Sequence, residues 1–127
     1  MIDYRKLDVY WDVRRLGRDI YQVTRRLPPY LLWRLGGQLD DAVESIGANL
    51  AEGSGRKNVS HGNAELVRYG HMAYGSACET EHRLAGLHDR ELVANEAYAD
   101  LAERLDGAKG KLWRLIQEWR LSDRGRR

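Results

Sequence analysis

Only one cysteine, Cys78, stands in the 127 residues. No disulfide can form within the chain, and the expected compartment is a reducing one. Apolar runs are short: none approaches the roughly eighteen uninterrupted residues that a membrane-spanning helix needs, so no membrane partner is expected. The first residues include Asp3, Arg5, Lys6 and Asp8 instead of an apolar stretch, which points away from a secretory leader and towards the cytoplasm. No segment alternates with period two over a useful length, which leaves no sheet to expect. Nucleophile elbow, Walker loop and dinucleotide fingerprint are all missing. Gly107-Ala108-Lys109-Gly110-Lys111 comes nearest to a phosphate loop, but it falls inside a helical pattern with no strand before it. The expectation is a protein that is not an enzyme, without catalytic residues, cofactor or metal.

What the chain does have is helical periodicity. Val9, Val13, Leu16, Ile20, Val23 and Leu27 recur at alternating steps of four and three, a seam that predicts one amphipathic helix over residues 4–27. Tyr10, Gly17 and Thr24 widen its face, and Pro28-Pro29 ends it, because proline has no amide hydrogen to donate. A second helix starts near Leu32 to Arg34 and carries Leu35, Leu39, Ala42 or Val43, Ile46 and Leu50 on one side. It is expected to close at a Gly53-Ser54-Gly55 turn, with residues 56–59 as the connection. Ser60 is the expected cap of a third helix over residues 61–88, whose seam is small and polar around Gly70, Gly75, Ser76 and Ala77, suited to close approach by another helix. Asn95 is the expected cap of the last helix, which presents Tyr98, Leu101, Leu105, Leu112, Ile116 and Trp119 and ends at Leu121-Ser122. Four such helices with short links predict an all-α fold in a single domain, 1–127: an antiparallel up-down-up-down four-helix bundle with a basic tail at 122–127.

The net charge of +2 conceals a strong asymmetry. Residues 5–26 hold seven Arg or Lys against three Asp, a local charge of +4; residues 109–127 hold seven against two acids, +5; the middle is acidic. The expected topology brings the start of the first helix, the link between the second and third, and the end of the fourth to one end of the molecule. That end would gather Arg5, Lys6, Arg56, Lys57, Arg120, Arg124, Arg126 and Arg127. Nucleic acid is its natural partner, because cations that neutralise phosphates release counterions and so gain sequence-independent affinity. Tyr4 and Trp119 are candidates to stack on bases there. The alternative reading is of solvated charges that keep a small protein soluble, with the aromatics partly buried.

Asn49, Glu52, Gly53, Gly55 and Arg56 form the sharpest cluster. Asn49 puts an amide on a face where a hydrophobe belongs, and Glu52 lies one turn before Arg56. The structural reading has Asn49 bonding across to the third helix and Glu52 pairing with Arg56 to fix the turn; the other reading is ligand contact. Glu79 and His82 have the Glu-x-x-His spacing of carboxylate-bridged metal bundles, but no second such pair exists. His61, His71 and His88 are scattered and read as surface residues, and Cys78 as a small packed one.

Three segments of the chain resemble, in order and spacing, the signature segments of the four-helix bundle proteins of the 23S rRNA intervening-sequence family: Tyr4-Arg5-Lys6-Leu7-Asp8-Val9, the stretch from Ser45 to Arg56 with its Ala-Asn-Leu-Ala-Glu-Gly-Ser-Gly-Arg run, and Ala73 to Glu81. The resemblance runs from about residue 4 to 119. Tyr10, Gly47 and the doubled Pro28-Pro29 depart from the family pattern. The resemblance implies a bundle that assembles into ring-shaped homopentamers. It also implies similarity to the accessory variability determinant of diversity-generating retroelements, a basic pentamer that partners a reverse transcriptase and binds RNA or DNA. On that basis the expected function is a non-catalytic nucleic-acid-binding accessory subunit. The alternatives are an rRNA intervening-sequence-encoded protein of unknown role and a protein-interaction module without direct nucleic-acid binding.

Overall fold

The computed structural model describes residues 1–124. Among them every regular element is helical: a 3-10 turn, Tyr4–Lys6, and four long helices, α1 (Asp8–Thr24), α2 (Gly37–Asn58), α3 (Ala64–Asp89) and α4 (Asn95–Arg124). The short turn Pro29–Leu31 and a π-helical turn, Leu32–Gly36, lead into α2. The all-helical expectation holds. Helix α1 packs against α2 and α4, and α3 packs against the same two, so the contacts close a cycle around one hydrophobic cluster.

The seam of α1 is where the period places it, with Val9, Val13, Leu16 and Ile20 buried and Tyr10 and Thr24 beside them. The single helix expected over 4–27 is nevertheless divided. Leu7 is extended (φ −85°, ψ 122°) and separates the Tyr4–Lys6 turn, capped by the Asp3 carboxylate, from α1. At the other end helical geometry stops at Thr24, and Leu27 reaches the core from the following turn. Thr24 is buried and donates its hydroxyl hydrogen to the half-buried Asp40 carboxylate, 2.9 and 3.0 Å from its two oxygens. This bond pins the end of α1 to the first turn of α2.

Helix α2 does not close at Gly53-Ser54-Gly55 but runs through all three to Asn58, so Arg56 and Lys57 are helical and not part of a connection. The reason lies in the neighbouring helix. A Cβ at Gly53 would stand 2.8 Å from the Tyr69 Cβ and 3.7 Å from the Leu66 backbone, so this glycine lets α3 approach. The glycine that turns the chain is Gly62, at φ +80°, a region that L side chains avoid. Ser60 is accordingly not the cap of α3, which starts after Asn63.

The α2–α3 contact carries a polar seam at its middle. Ser45 Oγ lies 2.8 Å from Ser76 Oγ, and the Asn49 amide donates to the Ser45 carbonyl (2.9 Å) and to Ser45 Oγ (3.1 Å). Asn49 therefore bonds within its own helix, and Ser45 makes the expected crossing. On the other side of α3, a Cβ at Gly70 would lie 3.0 Å from Ile116 Cγ1 and 3.1 Å from Trp119 Cζ3, the second close approach that the small seam predicts.

Helix α3 ends in a Schellman turn: the Leu92 amide donates to the Leu87 carbonyl (2.9 Å) and the Glu91 amide to the His88 carbonyl (3.0 Å). Glu91 takes the left-handed conformation that such a turn demands (φ 59°), although it is not glycine. Asn95 is the first helical residue of α4 and not its cap, and its side chain meets His88. Helix α4 continues past Leu121-Ser122 to Arg124.

Candidate nucleic-acid interface

Two polar clasps join the chain segments that carry Arg5 and Lys6, Arg56 and Lys57, and Arg120. The Ile2 amide donates to Asn58 Oδ1 and the Asn58 amide donates back to the Ile2 carbonyl, each at 2.9 Å. Across the same end, the buried Asn63 amide donates to the Trp119 carbonyl at 2.8 Å, and the Asn63 backbone amide donates to Asp123 Oδ1 at 3.0 Å. The chain start, the α2–α3 corner and the last turns of α4 thus share one open cavity of about 510 Å³, lined by Ile2, Lys57, Asn58, Asn63, Trp119 and Ser122 among others.

The cations at this end are not equivalent. Arg5 makes two bonds to Asp3 (Nε–Oδ1 3.0 Å, Nη2–Oδ2 3.1 Å), and these hold the Asp3 carboxyl below its ordinary value. Arg56 is paired with Glu52 at 3.0 Å, and that hydrogen bond, followed by the charge of the Tyr69 phenol group, raises the guanidinium's pKa. The Glu52–Arg56 pair is as the helical spacing predicts. Lys6 and Lys57 have no acidic partner among the described residues, so their charges face solvent uncompensated. Arg120 lies 3.0 Å from His71 Nε2 on the α3–α4 face. Lys6 also borders a second groove, of about 270 Å³, with Lys111 and Arg114 on α4 and the acids Asp8 and Glu118. Arg126 and Arg127 lie outside the described residues, and Arg124 is described only as the last residue of α4.

Two residues that sequence reasoning missed join this surface. Tyr69, half-buried against Gly53, has the Arg56 guanidinium 5.2 Å and the Arg68 guanidinium 5.3 Å from its ring centre. Two guanidinium groups within about 6 Å of one ring centre make a cation–π arrangement that helps to place both charges, and Arg68 is also paired with Glu65 at 3.3 Å. Only the neighbouring letters Arg68-Tyr69 hint at it in the sequence; Arg56 comes from another helix. The aromatics named for base stacking fare differently. Trp119 is buried, because Gly70 opens a notch for its ring, and Tyr4 is half-buried edge-on to Tyr10 at 4.9 Å. Trp119 is therefore not free to stack on a base.

Asn49, Gly53 and Gly55 take no part in this surface as a site. Asn49 is satisfied within α2, Gly53 is a helix contact, and Gly55 is exposed with open space beside it. Glu79 pairs with Arg83 (3.4 Å), and among the described residues no three His, Cys, Asp or Glu side chains gather as a metal site would require. No helix among the described residues is long and apolar enough to cross a membrane.

The family model described as 23S rRNA-intervening sequence protein matches residues 5–114. The chain belongs to that family. No curated protein matches it. The segment matched to the 23S rRNA-intervening sequence proteins includes Lys6, Lys57, Arg56 and the Arg68-Tyr69 pair. It stops short of Arg120 and the tail. Most of these residues therefore lie in the part of the chain that the family model matches, and Arg120 lies beyond it on α4.

Proposed function

We propose that this member of the 23S rRNA-intervening sequence protein family is a non-catalytic, cytoplasmic nucleic-acid-binding protein. Its four helices alternate in direction, up-down-up-down, and it works as a ring-forming homo-oligomer, a pentamer, that serves as accessory to a nucleic-acid-processing enzyme. Support for alternation comes from which ends meet: Ile2 with Asn58, Thr24 with Asp40, and Asn63 with Trp119. The ring and a partner such as the reverse transcriptase of a diversity-generating retroelement rest on the resemblance of the three sequence segments to such proteins.

The observation that carries the nucleic-acid reading is the shared cavity at the clasped end, with unpaired Lys57 in its wall and Arg56 beside it in the same helix, while Lys6 borders the neighbouring groove with Lys111 and Arg114. Cations on separate chain segments, held by side-chain-to-backbone clasps, offer a surface on which a phosphate backbone can lie. A second reading, a protein-interaction module, is favoured by Trp113 and Met72, large apolar side chains exposed on α4 and α3.

Salt separates the two. Binding of purified protein to a structured RNA should weaken steeply across a salt series and fall further in Arg56→Glu/Lys57→Glu, with a shallower salt slope because fewer phosphates are neutralised. Solution mass measured alongside tests the ring. An RNA affinity that ignores both salt and the double variant would remove the basic end as the working surface.

A further inference from the structure

The other end of the molecule carries a second surface. Between Asp19 and Asp40 the chain has no acidic residue but holds Arg25, Arg26 and Arg34. All three are exposed, and among the described residues none of them has a hydrogen-bond or ion-pair partner. The same corner exposes the two most solvent-exposed aromatics of the described chain, Tyr30 at 74 % and Trp33 at 86 %.

The corner is built, not loose. The Pro28 carbonyl accepts from the Leu31 and Leu32 amides at 2.9 and 3.0 Å, and Leu32–Gly36 continues as a π-helical turn. Gly36 is buried so tightly that a Cβ there would lie 3.2 Å from Leu27 and 3.4 Å from Leu32 and Thr24. That contact folds the Arg25-Arg26 turn onto the turn that carries Trp33 and Arg34. Leu31 and Leu35 turn inward against the core, so what remains outside is flat aromatic rings and guanidinium groups. Pi-helical turns are uncommon and are frequent at functional sites.

We infer that this Arg25–Arg34 corner binds single-stranded nucleic acid, with Trp33 and Tyr30 as stacking platforms and the three arginines on the backbone. The two rings are three residues apart on one exposed corner, which lets each meet a different base. Charge selects this occupant over others. A membrane surface would want the leucines outward, and a second copy of a corner with three uncompensated positive charges would be repelled. The site needs no contribution from the opposite, clasped end.

The test is titration of a labelled oligouridine of about fifteen nucleotides, a length within the range one such module covers. It is read by anisotropy at two salt concentrations, with solution mass and thermal unfolding recorded for every variant. Trp33→Ala should weaken binding about tenfold and Tyr30→Ala/Trp33→Ala more, with unfolding unchanged because both side chains are exposed. Arg25→Ala/Arg26→Ala should weaken binding and flatten its salt dependence. An aromatic double variant that binds within twofold of the parent would overturn the inference. So would one whose solution mass falls, since the corner would then be an interface between copies. Arg56→Glu/Lys57→Glu serves as the control. If it abolishes structured-RNA binding while the corner variants leave oligouridine untouched, the corner alone fails; if the reverse, the clasped end fails and the corner stands.

Discussion

Tyr69 sits so close to Gly53 that a Cβ added to the glycine would lie 2.8 Å from the tyrosine's own Cβ. Neither atom is the far end of a flexible side chain, so α2 and α3 would have to part. Gly53→Ala should therefore lower stability by about 1–3 kcal/mol, after the alanine's better helix propensity has offset part of the strain. Gly55, two residues on, has nothing within 4 Å and lies in the same helix. Gly55→Ala should raise stability by about 0.5–1 kcal/mol. Denaturant midpoints of the two variants check both signs, and a destabilised Gly55→Ala would mean that α2 ends in a glycine turn after all.

Glu91 occupies the left-handed position of the turn that closes α3, at φ 59°. Side chains with a Cβ lose about 1–2 kcal/mol there, and glycine returns part of that gain as greater freedom in the unfolded chain. Glu91→Gly should raise stability by about 0.5–1 kcal/mol, read as a higher midpoint with an unchanged slope.

Burial raises the Asp40 pKa above its ordinary 3.8; the Thr24 hydrogen bond works against this, and the neighbouring Asp41 charge adds to it. The folded chain therefore holds this proton more tightly than the unfolded chain does. The contribution is stabilising below the ordinary carboxylate range and is lost as pH rises through the raised value. At neutral pH the charged Asp40 costs stability. Asp40→Asn, which keeps an acceptor for Thr24, should melt higher than the parent at pH 7, and the gap should shrink as pH falls towards 3.8. Comparing the two proteins cancels groups such as Asp3, whose carboxyl is lowered and whose pH dependence has the opposite sign.

Periodic side chains and pairs within one helix were legible; geometry between helices was not. Val9, Val13, Leu16 and Ile20 announce their burial by spacing alone, because a seam that repeats over several turns has one buried solution. Gly53 and Gly55 were misread because a glycine that permits a turn and a glycine that permits a close neighbour look alike in sequence. What separates them here is Tyr69, which belongs to a different helix. The π-helical turn at Leu32–Gly36 has no sequence signature, since its extra residue is set by how Gly36 seats against Leu27. At the clasped end the cations could be counted from the sequence. The Glu52–Arg56 pair follows from its helical spacing, but that Asp3 occupies Arg5, leaving Lys6 and Lys57 open, depends on side-chain geometry.

The Ser45–Ser76 contact and the Asn49 amide that supports it do more than satisfy one another. Two helices faced only with leucine and alanine can slide by a turn, about 5.4 Å, and still bury oil against oil. Here such a slip would strand the paired hydroxyls and drive the Tyr69 Cβ off its notch at Gly53 in one movement. The polar pair and the missing methyl act together as a vernier: the two scales coincide at a single mark, and α2 and α3 can come to rest only there.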